Sequence, residues 1–95
     1  MYLVMTHYKK PLPIVDESLH LHRSFLDIGY QKGYFIVSGP RNPRTGGIIL
    51  SQLQNRDELE KILKEDPFYI SGIADFEIHE FNPVKYHENF SVFLK

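Results

Sequence analysis

Four short stretches of the chain are rich in apolar, mostly aromatic and β-branched, side chains, and this pattern predicts four β-strands. Aromatic and β-branched residues dominate the first two, which are expected over residues 2–8 and 34–38. A third strand is predicted over residues 48–53 and a fourth over 73–81. In the fourth, apolar side chains alternate with charged ones, as in a sheet that has one face in contact with water.

Helical periodicity predicts a first helix over residues 16–32. Pro11 and Pro13 end the strand before it, Asp16 is the expected N-cap, and Gly33 ends the helix. One face of this helix is apolar except for a histidine near its middle, and it consists of Leu19, His22, Phe25, Leu26, Gly29 and Tyr30.

A second helix is predicted from Asn55, with Glu58 three residues later completing a box-like start. The helix should stop near Glu65, because Asp66 precedes Pro67 and a residue before proline avoids the helical conformation. Its apolar stripe is Leu59, Ile62 and Leu63.

The predicted order of elements is βαββαβ, which is typical of a ferredoxin-like α+β fold. We expect a four-stranded antiparallel sheet with both helices on one face. The other face would be partly apolar, and two such faces packed together would make a symmetric homodimer. Residues 1–83 would form this domain. Residues 84–95 would be a C-terminal extension that docks as an edge strand or a dimer arm, because Phe90, Val92 and Leu94 alternate.

The composition is that of an ordinary globular domain, since 42% of the 95 residues are hydrophobic and 24% are charged. The formal net charge is -1, from 11 basic and 12 acidic side chains, and this near-balance gives no electrostatic reason to expect nucleic-acid binding. No apolar run approaches the roughly 20 residues that span a bilayer, and the N-terminus lacks the basic lead of a signal peptide. We therefore expect a cytoplasmic protein that binds neither nucleic acid nor membrane.

The sequence contains no cysteine, which excludes disulfides, thiolate nucleophiles and Cys-based zinc sites. His20 and His22 are two positions apart, so they point away from each other on a helix and are not expected to share a metal ion. No set of ligands has the spacing of a zinc site. We expect neither a metal nor a cofactor.

His22 is the most informative residue, because an imidazole on an apolar helix face is costly to bury unless it is hydrogen-bonded. One interpretation is a general acid or base, since histidine gains and loses a proton near neutral pH. The other is a structural histidine that packs under the helix and bonds a backbone carbonyl. Periodicity does not decide between them.

Several short motifs stand in a characteristic order and spacing, namely His22-Arg23-Ser24-Phe25-Leu26, Gly33, Ser38-Gly39-Pro40, Gly46-Gly47 and Glu65-Asp66-Pro67-Phe68. Together they resemble the YciI-like proteins over most of the chain, from about Tyr2 to Pro83. The resemblance implies a dimeric α+β barrel of ferredoxin-like subunits, with a paired histidine and aspartate in a pocket. Some relatives are linked to dehydrochlorination or to ring-lactone chemistry in the degradation of aromatic compounds.

The resemblance assigns the paired residues to His22 and Asp66. His22 would be the general acid or base, and Asp66 would orient it and stabilise the imidazolium. The alternative for Asp66 is a local turn residue at the helix exit, which is common before proline.

Ser38 and Gly39 match the turn after the second strand and are expected to contact substrate, although a serine in this place is also a common turn residue. Arg41 and Arg44 lie in a Gly- and Pro-rich loop. They would either clamp a substrate carboxylate or be solvated.

These residues together predict a cofactor-independent enzyme that moves a proton in a small cyclic or aromatic-derived acid, as a lyase, an isomerase or a dehydrohalogenase. The alternative is a non-catalytic dimeric module that binds a small molecule, or regulates, through the same pocket. A third interpretation is a structural domain whose exposed sheet face only mediates pairing.

Overall fold

Four β-strands and four α-helices follow one another along residues 1–94, the part of the chain that the computed structural model describes. The predicted strands and the two predicted long helices are all present, with boundaries shifted by a few residues. In chain order the elements are β1 (Tyr2–Tyr8), α1 (Leu12–Glu17), α2 (Leu19–Gln31), β2 (Phe35–Pro40), β3 (Gly46–Ser51), α3 (Arg56–Leu63), α4 (Pro67–Ile70), β4 (Ala74–Glu80) and a 3-10 helix (Glu88–Phe93).

The strands form one antiparallel sheet in the order β2-β3-β1-β4. In the inner strand β1, Val4 lies opposite Ile49 of β3 on one side and Ile78 of β4 on the other. In this order each strand–helix–strand unit has one strand of the other unit between its own two strands, which is the arrangement of the ferredoxin-like α+β fold. The predicted topology is confirmed.

The hydrophobic core lies between one face of the sheet and the helices α2 and α3. An added Cβ at Gly29 of α2 would lie 2.2 Å from the ring of Phe35 on β2, so the helix reaches the sheet because residue 29 has no side chain. Tyr2 and Val4 are two positions apart on β1, and Val4 pairs with Ile49 and Ile78, which places all four on the same face. The buried core cluster is Tyr2, Val4, Phe35, Ile49, Leu59, Leu63 and Ile78.

The first predicted helix begins earlier than expected and is divided in two. Pro11 is the N-cap of α1 and Pro13 lies in its first turn, where the missing N–H of proline costs no hydrogen bond. The prolines end the strand, as predicted, but they also begin a helix. The predicted start at Asp16 was therefore wrong, because Ser18 separates α1 from α2 and Asp16 lies inside α1.

The chain after β4 does not form the predicted edge strand, because Glu88–Phe93 is a 3-10 helix. The Nδ1 atom of His87 accepts a hydrogen bond from the backbone N–H of Asn89 at 3.1 Å. Local side-chain-to-backbone bonds of this kind favour a turn over an extended ladder. Lys95, the last residue of the predicted extension, lies outside the described residues.

The face of the sheet opposite α2 and α3, here called the open face, is partly apolar, as predicted. Leu3, Leu50 and Val37 lie side by side across β1, β3 and β2, and Val37 is 56% exposed. Within residues 1–94, every helix is too short or too polar to span a lipid bilayer.

Candidate functional site

A histidine of α2 and the aspartate before α4 are hydrogen-bonded, although 44 positions separate them in the sequence. The Nδ1 atom of His22 lies 2.9 Å from Oδ1 and 2.8 Å from Oδ2 of Asp66. Because an ionised carboxylate only accepts hydrogen bonds, the Nδ1–H group is the donor. In the neutral imidazole, Nε2 then keeps the lone pair that can take up a proton.

Asp66 occupies its position because it begins α4. Its carboxylate accepts a hydrogen bond from the backbone N–H of Phe68 at 3.0 Å, which makes it the N-cap of a helix whose first residue is Pro67. The sequence suggested two roles for Asp66, in the local turn and as the partner of a distant histidine. One carboxylate makes both contacts.

An aromatic ring holds the imidazole from a second direction. The ring of Phe68 lies parallel to that of His22, with a centroid distance of 4.1 Å and an interplanar angle of 1°. The side chains of His22 and Asp66 are only 15% and 8% exposed. Attraction between a carboxylate and a protonated imidazole is stronger in such a place than in water, so the pair favours one geometry.

A cavity of about 550 Å³ lies between α2 and the sheet, and His22 forms part of its wall. Asp66 lies behind His22 and outside the wall. Ser38 and Gly39, which were expected to contact substrate, both line this cavity. Its volume is in the usual range for sites that bind small molecules.

The side chain of Tyr30 lines the cavity, although the sequence pattern had predicted no functional role for it. Its oxygen lies 2.6 Å from the Oγ of Ser38, and both residues line the cavity. The available signal was the apolar face of the first predicted helix, on which Tyr30 follows His22 by about two turns. Periodicity places both residues on one helix, but the contact with β2 depends on how the helix packs.

Arg44 lines the cavity, but its guanidinium is already engaged. It donates a hydrogen bond to the carboxylate of Asp16 and lies over the ring of Tyr8, 5.8 Å from the ring centroid. The hydrogen bond with Asp16 raises the pKa of Arg44 above its ordinary value. A carboxylate in the cavity would therefore compete with Asp16 for this side chain.

Arg41 is not among the residues that line this cavity, and its expected contact with substrate stays a prediction. Its Nη2 atom is 3.1 Å from Nδ1 of His7 and donates to Oγ1 of Thr45 at 3.1 Å. His7 alternates along β1 with Thr6, which lines the cavity, so His7 and its partner Arg41 belong to the open face. The loop had been placed correctly, but the direction of a loop side chain could not be inferred from the sequence.

Arg23 takes a position that the sequence suggested for the loop arginines. It lines the cavity next to His22. No acidic side chain within residues 1–94 forms an ion pair with it. Asp27, one turn later on α2, lines the same cavity and sets a negative charge against the two arginines. Arg23 had been quoted only as part of a motif, without a role.

Two histidines outside the cavity share one glutamate on the open face. The Nε2 atom of His7 lies 2.6 Å from Oε1 of Glu77, and the Nε2 atom of His79 lies 3.2 Å from Oε2. The hydrogen bond with His7 lowers the pKa of the Glu77 carboxyl below its ordinary value of 4.5. In the described part of the chain, no group of three or more His, Cys, Asp or Glu side chains is arranged to hold a metal ion.

The fold and the site define a small ferredoxin-like α+β domain with a largely buried His–Asp pair beside a cavity. Residues 1–82 match the YCII-related domain, and the chain belongs to that family. This result confirms the resemblance that the short motifs indicated. No curated protein matches the chain.

A solved structure with the same fold is that of 5-chloro-2-hydroxyhydroquinone dehydrochlorinase from Burkholderia phenoliruptrix AC1100, in complex with 2,5-dihydroxybenzoquinone. The two chains superpose with a TM-score of 0.70 and are 18% identical, and the match covers 86% of this chain and 94% of the other. At this level of identity the likeness establishes the fold.

Proposed function

We propose that the protein is an enzyme that moves a proton in a small ring compound, with His22 as general base and then general acid. The observation that carries the proposal is the bond from His22 Nδ1 to the Asp66 carboxylate at the wall of a cavity. Asp66 would fix the tautomer of the ring, and its charge would stabilise the imidazolium that forms when Nε2 takes a proton. Asp66 is thus a positioning residue, and His22 is the group that meets the substrate.

The lining of the cavity supports a small acid with a ring as substrate. Tyr8 and Phe68 give aromatic surface, and Ser38 gives a hydroxyl that can hold a polar substituent. Arg23 and Arg44 favour a negative group, with Arg23 the cation that a ligand can engage without displacing an internal partner.

The family supports the class of reaction. The similar structure is of a dehydrochlorinase, and the loss of hydrogen chloride from a ring compound requires a base that removes a proton. Lyase and isomerase reactions on small cyclic or aromatic-derived acids use the same step. A positioned imidazole can perform that step, so the proposal includes no cofactor.

We also propose that two copies of the chain pair through their open faces. The row formed by Leu3, Leu50 and Val37 is apolar surface that a second sheet would cover. A symmetric pair places the same row on both partners, which makes the contact self-complementary. Residues 84–95 would remain a C-terminal extension to a domain formed by residues 1–83.

The test of the catalytic proposal is a reaction panel in deuterated water. Small hydroxy-, keto- and chloro-substituted ring acids and phenols, including 5-chloro-2-hydroxyhydroquinone, are incubated with wild type, His22→Gln and His20→Gln. Proton NMR follows deuterium uptake, and ion chromatography follows chloride release. His20 is exposed on the same helix and outside the cavity wall, so its variant is the matched control.

We expect at least one compound to react with wild type and with His20→Gln alike. His22→Gln should be slower by on the order of 10²–10⁴-fold, the usual contribution of general acid–base catalysis. Equal rates for wild type and His22→Gln would contradict the proposal. Compounds that bind wild type without any reaction would favour the non-catalytic binding module instead.

A further inference from the structure

The hydroxyls of Tyr30 and Ser38 at the cavity wall carry two protons, and the hydrogen bond between them takes only one of these. Their oxygens are 2.6 Å apart, so one O–H group donates to the other. Neither hydroxyl has another hydrogen-bond partner among residues 1–94. The hydroxyl that accepts therefore keeps its own proton free for a ligand.

Acidity indicates which hydroxyl donates. A phenol is a stronger acid than an aliphatic alcohol, so the more favourable arrangement has Tyr30 donating to the Oγ of Ser38. A hydroxyl that accepts a hydrogen bond becomes a better donor, because linked hydrogen bonds polarise one another. The free proton then belongs to Ser38, which lines the cavity.

We propose that the Tyr30–Ser38 pair is the binding site for a carbonyl or phenolate oxygen of the substrate, with Ser38 as the donor and Tyr30 as its positioning residue. The inference rests on the proposed function, because it names the substrate class of the same cavity. The substrate would be a small ring compound whose oxygen is conjugated to the carbon that His22 deprotonates.

The spacing along α2 fits this division of roles. Tyr30 follows His22 by eight residues, which places their Cα atoms about 12 Å apart along the helix axis. Side chains of both residues line the same cavity. One substituted ring, with a hydrogen bond at each end, can fill this distance. His22 and the Tyr30–Ser38 pair would therefore contact opposite ends of one ligand.

The chemistry that this arrangement supports is enolisation. The Nε2 atom of His22 takes the proton from a ring carbon opposite the carbonyl. The C–H electron pair forms a C=C bond, and the intervening ring C=C bond shifts to the carbonyl carbon. The carbonyl π pair moves onto the oxygen, where the Ser38 hydroxyl stabilises the negative charge by a hydrogen bond. Return of the proton from His22 to carbon reverses the step or completes an isomerisation. Protons and electrons balance without a further reactant.

The positive charges of the cavity agree with an oxygen that becomes negative. Arg23 and Arg44 both line the wall, and Asp27 is the opposing acidic group. Because Asp16 already pairs with Arg44, Arg23 is the cation that remains to favour a phenolate or an enolate.

The test uses 4-nitrophenolate, a ring with one anionic oxygen whose visible absorption band shifts to shorter wavelength when that oxygen accepts a hydrogen bond. Nitrobenzene, which lacks this oxygen, is the matched probe. Both are titrated against wild type, Ser38→Ala, Tyr30→Phe and the double variant, with Tyr69→Phe, on α4 and outside the cavity wall, as control. Tyr30→Phe keeps the ring that packs edge-on against Phe35 at 6.0 Å, so the fold is retained.

Wild type and Tyr69→Phe should bind 4-nitrophenolate with a band at shorter wavelength. Ser38→Ala should abolish the shift and weaken binding by about ten- to a hundredfold, the contribution of a hydrogen bond to a charged group. Tyr30→Phe should reduce both effects but not abolish them. The double variant should equal Ser38→Ala, because Tyr30 acts only through Ser38. Nitrobenzene should bind all five proteins alike.

A wild type that does not bind 4-nitrophenolate, or a Tyr30→Phe protein that matches wild type, would overturn the inference. The inference would also be overturned if Tyr30→Phe weakened 4-nitrophenolate binding equally in wild type and in Ser38→Ala. His22→Gln separates this result from the catalytic proposal, because it should keep the spectral shift. A shift that depends on Ser38, with no turnover that depends on His22, would retain the oxygen site and reject the enzyme.

Discussion

The carboxylate of Asp66 performs two tasks at once, because it caps α4 through the N–H of Phe68 and holds the Nδ1 of His22 at 2.8 Å. The first task is local and the second joins residues 44 positions apart. A single side chain thus connects the start of a helix with the tautomer of the candidate base. Substitutions can separate the two tasks.

Asp66→Asn should keep the helix cap, since asparagine is as good an N-cap as aspartate. Asp66→Ala should lose it and be less stable than Asp66→Asn by about 1 kcal/mol. Both variants remove the charge that faces His22, so turnover should fall in both by on the order of 10²-fold or more. Urea unfolding and the rate of any reaction found in the panel measure the two effects. Equal activity in Asp66→Asn and wild type would refute the positioning role.

Gly29→Ala should destabilise the protein although alanine is the better helix former. The new Cβ would lie 2.2 and 2.4 Å from two atoms of the Phe35 ring, which must move. Overpacking of this kind costs about 1–3 kcal/mol, more than the gain of up to about 1 kcal/mol in helix propensity. Thermal unfolding measures the difference.

The control for that variant is Ser24→Ala on the exposed side of α2, which should change stability by less than about 0.5 kcal/mol. Phe35→Leu in the Gly29→Ala background should recover part of the loss, because the smaller side chain makes room. A Gly29→Ala protein more stable than wild type would show that α2 does not lie as close to β2 as described.

Sequence patterns predicted the strands and the two long helices because alternation and helical periodicity are local properties. They missed α1 because a proline that ends a strand also fits the first turn of a helix, as Pro13 does. They paired His22 with Asp66 only through a family resemblance. The contact of Tyr30 with Ser38 and the direction of Arg41 depend on tertiary packing, which neither periodicity nor composition encodes.

The Glu77 carboxyl should make stability depend on pH in acidic solution. Its pKa is lower in the folded protein than the ordinary value of 4.5, chiefly through the hydrogen bond with His7. The unfolded chain therefore binds this proton more readily, and the stabilisation is present above about pH 4.5 and is lost as the pH falls through the lowered pKa. Wild type should exceed Glu77→Gln in stability above that pH, and the two should converge below it.

Denaturant unfolding between pH 2 and pH 7 tests this expectation, with pH values chosen to bracket the ordinary carboxyl range. His7→Gln is the control background, since it removes the leading cause of the shift. In the His7→Gln background, the pH-dependent difference in stability between the protein with Glu77 and its Glu77→Gln variant should be smaller. A difference that grows as the solution becomes more acidic would have the wrong sign and would contradict the assignment.

Val37→Lys should prevent the proposed pairing of two copies. Val37 is 56% exposed and lies next to Leu50 on the open face, where a lysine would place a charge within apolar contact surface. Sedimentation velocity should show a dimer for wild type and a monomer for Val37→Lys. Ile70→Lys, at a 69% exposed position on α4, should remain a dimer. Identical sedimentation of Val37→Lys and wild type would remove the open face as the interface.

The protonation of the His22 ring tests the central claim most directly, because general base catalysis requires a free Nε2 and a protonated Nδ1. Long-range ¹H–¹⁵N NMR of protein labelled at its histidines identifies which ring nitrogen carries the proton, and His22→Gln assigns the signals. We predict that the neutral His22 ring carries its proton on Nδ1 and that Asp66→Asn weakens this preference. A neutral ring protonated on Nε2, with no change in Asp66→Asn, would contradict the account.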